Sequence, residues 1–251
     1  MSMISIGTSG YNYNHWRGVF YPEDLPQKKW LEYYMEFLNS VELNVTFYRL
    51  PTESAFESWY KRTPKDFTFA LKGSRFITHI KKLKDTQDPL KVFFTRSKKL
   101  GEKHRVTLWQ LPPKFKVNEE RLKSFAQLLR EFPECLHAFE FRDKSWFSKG
   151  VFDILRLYGM GICSADWPDR EIKIPTDLPF LYVRRHGPES GALYSGCYSE
   201  EELRKDAQKI ITWSRKGKET FAYFNNDASG YAVKNAIQLK MMVRLREDRV
   251  W

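Results

Sequence analysis

The chain has 251 residues, of which 42% are apolar and 16% aromatic, enough for a large core and too much for a disordered chain. Its formal charge is +11. No apolar run reaches the roughly 18 residues of a membrane span, and the start MSMISIGTSG lacks the regions of a signal peptide. Cys135, Cys163 and Cys197 are widely spaced, with no CxxC pair. That spacing speaks against a disulfide framework or zinc module and for a cytoplasmic protein with reduced thiols and no membrane partner.

Short apolar strands alternate with helical patterns along the whole chain. MISIG (3–7) is the first strand, and Trp30, Tyr33, Tyr34, Phe37 and Leu38 follow at helical spacing. SVELNV (40–45) is the second, followed by a helix near 52–62 with Ala55, Phe56 and Trp59. DFTFALK (66–72) is the third, with a helix near 89–101 carrying Leu90, Phe93 and Phe94. RVTLWQ (105–110) leads to a helix of Leu122, Phe125, Leu128, Leu129 and Phe132, which Asn118 is placed to cap. HAFEF (137–141) precedes a helix with Val151, Ile154, Leu155 and Tyr158.

MGICSA (160–165) is the sixth strand. The segment PDREIKIPTDLP (168–179) after it reads as loop with at most one turn. FLYVRR (180–185) is the seventh, after which Ser199 and Glu202 spell a capping box opening a helix of Leu203, Ala207, Ile210 and Ile211. TFAYFN (220–225) and a helix with Val233, Ala236, Ile237 and Met241 complete the series. Eight strands and about seven helices in alternation predict an α/β fold. The expected form is a single (β/α)8 TIM-type barrel over residues 1–251, irregular in its weak or missing helix after strand six. An open doubly wound sheet is the alternative, but no Gly-rich phosphate loop follows any strand.

The strands split by parity. Val41 and Leu43, Phe67 and Phe69, His137 and Phe139, and Leu181 and Val183 form apolar faces suited to packing under helices. The opposite parity ends in polar groups at the C-terminal strand ends: Glu42 and Asn44, Lys72, Gln110, Glu140 and Arg142, Arg184 and His186, Tyr223 and Asn225, with Asp166 after strand six. Buried charges must be paired or wet. These side chains therefore either line a site at the barrel mouth or satisfy one another as a polar plug.

Four motifs lie at those ends. GTSGYNYNHWRGVFYP (7–22) is a glycine-rich aromatic loop. In it Tyr11 and Trp16 either cover a ligand or belong, with Phe20, to the loop's own small core. NVTFYRLP (44–51) sets Tyr48 and Arg49 above the mouth. Arg49 either clamps a carboxylate or phosphate or pairs with Glu42 or Glu140. KGSRFITH (72–79) supplies Lys72 as a site residue, with Arg75 and His79 assigned to a loop or a basic exterior. NNDASGYA (225–232) places Asp227 to cap the last helix. Glu140, Asp166 and His186 make an oxygen and nitrogen donor set, but Arg142 and Arg184 share the mouth and disfavour a cation there. No metal or other cofactor is expected.

GTSGYNYNHWRGVFYP, VELNVTFYRLP, FTFALKGSRFITH, WQLPP, FEFRDKSWF, VRRHG and YFNNDASGYA, in that order, resemble the YecE-like family, the domain of unknown function 72. The resemblance runs from about residue 4 to 240 and implies a TIM-type barrel from bacteria or archaea, with no activity attached. One departure is Tyr11, where the family usually has Trp.

The residues themselves predict an enzyme for a small anionic molecule, phosphorylated or carboxylated. Arg142, Arg184, Lys72 and Arg49 would bind the anion, and Glu140 would act as acid or base with His186 or Glu42. Asn44, Tyr48, Gln110, Asp166 and Asn225 would orient the substrate under Tyr11 and Trp16. Hydrolase, lyase and isomerase chemistry all use such sets. A second reading is nucleic-acid binding. Residues 61–105 hold 14 Lys and Arg against 4 Asp and Glu, while the rest of the chain holds 28 against 27. The phenylalanines interleaved there, Phe67, Phe69, Phe76, Phe93 and Phe94, read mostly as core. A third reading is a ligand-binding barrel without catalysis.

Overall fold

The computed structural model describes residues 2–166, 174–188 and 194–247. Eight parallel strands close into one barrel in sequence order. They are β1 (Ile4–Ser9), β2 (Ser40–Leu43), β3 (Thr68–Lys72), β4 (His104–Gln110), β5 (Leu136–Glu140), β6 (Gly161–Ala165), β7 (Leu181–Arg185) and β8 (Thr220–Phe224). The helices are α1 (Trp30–Phe37), α2 (Val45–Tyr48), α3 (Glu53–Arg62), α4 (Gln87–Ser97), α5 (Glu119–Leu129), α6 (Lys149–Leu157), α7 (Glu200–Arg215) and α8 (Tyr231–Glu247). The fold is a (β/α)8 barrel of TIM type. Of the predicted loop at 168–179, residues 168–173 lie outside the described residues, and 174–179 carry no helix. Among the described residues no helix is long and apolar enough to cross a membrane.

The chain divides into two compact units. One holds β1, most of β2, β7, β8, α1, α7 and α8. Its α7 starts at the predicted capping box: Ser199 accepts from the Glu202 N–H at 3.3 Å, and the Glu202 carboxylate accepts from the Ser199 N–H at 2.8 Å. Leu203, Ala207, Ile210 and Ile211 are buried along one face. Outward Arg185 pairs with Asp206 of α7, while Tyr182, Phe221 and Tyr223 meet as rings on the other parity. Gly7 is required by close approach, since a Cβ there would lie 1.9 Å from the Ser40 carbonyl oxygen.

The other unit holds β3 to β5, most of β6, and α2 to α6. Asn118 caps α5, accepting from the Arg121 N–H at 2.9 Å. Phe125 of that helix packs against Trp109 and Phe139, with ring centroids 5.1 and 6.1 Å apart. All three are fully buried, a contribution of roughly 1.5–3 kcal/mol per ring. The outward parity of β4 and β5 is therefore the helix-facing side, as their apolar content requires.

Three local expectations are corrected. Strand two stops at Leu43, and its predicted end belongs to α2. Thr46 Oγ1 donates to the Leu43 and Lys72 carbonyls at 2.8 and 2.6 Å, turning the chain despite its β-branched and aromatic composition. The predicted helix at 89–101 is α4 ending at Ser97, followed by a tighter 3-10 segment, Lys98–Lys103, in which Gly101 breaks the helix at φ +53°. Asp227 does not cap α8, which starts at Tyr231. Its carboxylate instead accepts from Trp16 Nε1 at 2.7 Å and pairs with His15 at 2.9 Å.

Candidate functional site

In the first unit the polar strand ends form one connected network. Glu42, one residue before the end of β2, has no exposed surface. It accepts from Ser9 Oγ at 2.7 Å, from Tyr182 OH at 2.6 Å, and from Arg184 through Nη2 at 2.7 Å and Nε at 3.0 Å. The arginine fork thus meets both carboxylate oxygens, the geometry that best offsets the desolvation of a buried pair. Arg184 Nη1 lies 3.4 Å from His186 Nε2, and the Asn225 amide lies 3.2 Å from His186 Nδ1. Asp166 accepts the His186 backbone N–H at 2.7 Å and a short hydrogen bond from Tyr198, whose hydroxyl accepts from the Gly187 N–H at 2.6 Å. Burial raises Asp166 above the ordinary carboxylate range, against the pull of Arg185 and these donors.

In the second unit the ends of β3, β4 and β5 carry Lys72, Gln110 and Glu140. Glu140 has no exposed surface; its Oε1 accepts from Gln110 Nε2 at 2.7 Å and Arg142 Nε at 3.2 Å. Lys72 is nearly buried, its ammonium 4.4 Å from the centroid of the Phe47 ring on α2. The edge of the same ring meets His79 at 5.0 Å. His79 sits on a π-helical turn, Phe76–Ile80, and its Nδ1 is 2.9 Å from Thr78 Oγ1. Burial holds His79 down to about 4, helped by the positive charges of Lys72, Arg142 and Arg75 and opposed by Glu140. The imidazole is therefore neutral near pH 7, among three cations and one carboxylate.

The predicted residues thus fall into two groups: Glu42, Arg184, His186, Asn225 and Asp166 in one unit, and Glu140, Arg142, Gln110 and Lys72 in the other. Arg49 and Tyr48 are exposed on and after α2, and Arg49 makes no ion pair among the described residues. Asn44, half-buried, precedes that helix. Of the two readings of Trp16, ligand cover or core of its own loop, the second holds. Its ring is fully buried against Tyr13, Phe20, Tyr21 and Tyr34, so it is the core of its own loop. Tyr11 is half-buried beside Tyr34. Sequence reasoning passed over Phe47 and left His79 to a loop. The signal for His79 was its spacing of seven from Lys72, but only the π turn brings it back to the strand end. Among the described residues no three His, Cys, Asp or Glu gather as a metal site.

A family model described as "Protein of unknown function DUF72" matches residues 5–250. UPF0759 protein YunF of Bacillus subtilis is 27% identical over 94% of this chain and 93% of its own length. UPF0759 protein YecE of Escherichia coli is 32% identical over 48% of this chain and 44% of its own. The crystal structure of a DUF72 family protein from Thermotoga maritima is 33% identical, with a TM-score of 0.84, covering 96% of this chain and 99% of that one. A DUF72 family protein from Enterococcus faecalis, 21% identical, has the same fold at a TM-score of 0.81, covering 96% of each chain.

Proposed function

The chain belongs to the DUF72 family of proteins of unknown function, and we propose that it is an enzyme for a small phosphorylated or carboxylated molecule, bound at the C-terminal ends of β3 to β5. The observation that carries the reading is the geometry at these strand ends: Lys72 stands 4.4 Å from the Phe47 ring, His79 meets the same ring at 5.0 Å, and Arg142 pairs with Glu140 at 3.2 Å. An excess of cations at the strand ends attracts an anion. Lys72 and Arg142 bind it, the lysine as a point charge and the arginine as a fork. Glu140, its Oε1 fixed by Gln110 and Arg142, is the acid or base that moves a proton on the substrate. His79 stays neutral, able to donate or accept a hydrogen bond without adding charge. In the other unit, Glu42 has a positioning role: it holds Arg184, and Arg184, which can only donate, presents a nitrogen to His186 Nε2.

A thermal-shift screen of inorganic phosphate and of phosphorylated and carboxylated metabolites tests the anion site. Ligands are expected to stabilise the wild type and to lose that effect in Arg142→Ala. Equal shifts in both proteins, or none in either, would remove the anion site. With a substrate in hand, Glu140→Gln is expected to abolish turnover while thermal unfolding stays cooperative; full turnover would take Glu140 out of the mechanism.

A further inference from the structure

The two turns beside this site carry an exposed surface that the acid–base reading does not use. On α2, Val45 is 45% and Tyr48 75% exposed; on the π turn, Phe76 is 45% and Ile80 65% exposed. Large apolar side chains held outward on two adjacent turns mark a contact surface. The turns lie together. The Tyr48 ring meets Phe47 edge-on at 5.0 Å, Phe47 meets His79 of the π turn at 5.0 Å, and Thr46 is bonded to the Lys72 carbonyl.

The charge on these segments has one sign. Residues 45–49 and 75–84 contain Arg49, Arg75, Lys81, Lys82 and Lys84 and no Asp or Glu. All five are exposed or half-exposed. The scaffold that sets them out is fixed: the Lys81 N–H bonds the Phe76 carbonyl at 2.8 Å, and the Leu83 N–H bonds the Ile77 carbonyl at 3.0 Å. Leu83 is buried, so its neighbours Lys82 and Lys84 turn outward. Lys81 Nζ stands 5.9 Å from the Phe76 centroid, a cation beside an open ring.

Exposed rings on two neighbouring turns whose charges are all positive match a chain that alternates flat bases with phosphates. We infer that α2 and the π turn form a binding surface for single-stranded nucleic acid, with bases stacking on Tyr48 and Phe76 and phosphates held by the five cations. Duplex hides its base faces and is the poorer fit. The basic surplus of residues 61–105 supports the reading only in part. Phe67, Phe69, Phe93 and Phe94 are core, as their strands and helix require, and Phe76 alone of the five interleaved phenylalanines is open. Tyr48, outside that segment, supplies the second ring.

The test is fluorescence anisotropy of labelled 12-nucleotide DNA and RNA strands with the full chain, with polyphosphate as a base-free competitor. Tyr48→Ala and Phe76→Ala alter exposed side chains, so both variants should keep the wild-type melting temperature. Each is expected to weaken single-strand binding about fivefold or more, the usual loss for one stacked base. Five phosphate contacts predict a loss of about a hundredfold between ~50 and ~200 mM salt, with a shallower slope when Lys81, Lys82 and Lys84 become Ala. No binding at ~50 mM salt would overturn the inference. So would wild-type affinity in both ring variants, or duplex and polyphosphate binding as tightly as single strands. Binding is read without turnover, so failure here leaves the anion site to be judged by its own variant.

Discussion

Replacing Arg184 by Met removes the charge that balances Glu42 at a position where neither side chain has more than 1% exposure. Methionine keeps the length and apolar stem, so the change is mainly electrostatic. Glu42 retains the hydroxyls of Ser9 and Tyr182, and these offset part of the loss. Orphaning one member of a buried pair costs about 3–5 kcal/mol, and the two hydroxyls place Arg184→Met near the lower end. At roughly 2–4 °C per kcal/mol for a chain of this size, the melting temperature should fall by about 6–12 °C. Calorimetry and urea unfolding followed by circular dichroism measure it. The pairing itself is isolated by adding Glu42→Gln. The double variant should be more stable than the sum of the single losses by about 1–3 kcal/mol, because the neutral amide no longer needs the arginine. A loss below about 1 kcal/mol in Arg184→Met, or simple additivity, would show that the pair is not what holds these strand ends together.

Two further outcomes concern other parts of the chain. Burial holds His104 to about 3 and His137 to about 4, so the folded chain stays neutral there while the unfolded chain takes up protons near 6.5. Stability is therefore full above pH 6.5 and falls as the pH drops towards 4; His137→Gln should flatten that fall in the urea midpoint, and an unchanged slope would show that His137 is not buried neutral. Trp16→Phe keeps the ring cluster but removes the donor to Asp227, whose carboxyl burial already pushes up, and should lower stability by about 1.5–3 kcal/mol in chemical unfolding. A wild-type midpoint would assign the loop's hold to packing alone.

The alternation of strand and helix, the outward apolar parity and two helix starts were legible in the chain, because each rests on neighbours a few residues apart. Asn118 and Ser199 cap from three positions away, and Phe139 points at helices because its strand alternates. Glu140 and Arg142, two residues apart, were legible as partners, but the chain by itself could not supply the partner of a charge whose mate lies on another strand. Parity turned Glu42 and Arg184 to the same side, but their contact joins residues 142 positions apart and depends on where strand ends come to lie. Trp16 reads equally as ligand cover or core until Tyr34 and Asp227 are seen around it. The α2 and π turns have strand-like compositions. They bend because Thr46 finds a carbonyl on β3 and the Lys81 N–H reaches back five residues, so Tyr48 and Phe76 end outside. Local periodicity determined which side chains leave the core. The tertiary hydrogen bonds decided which of them meet, since a buried charge takes the partner that geometry brings within reach.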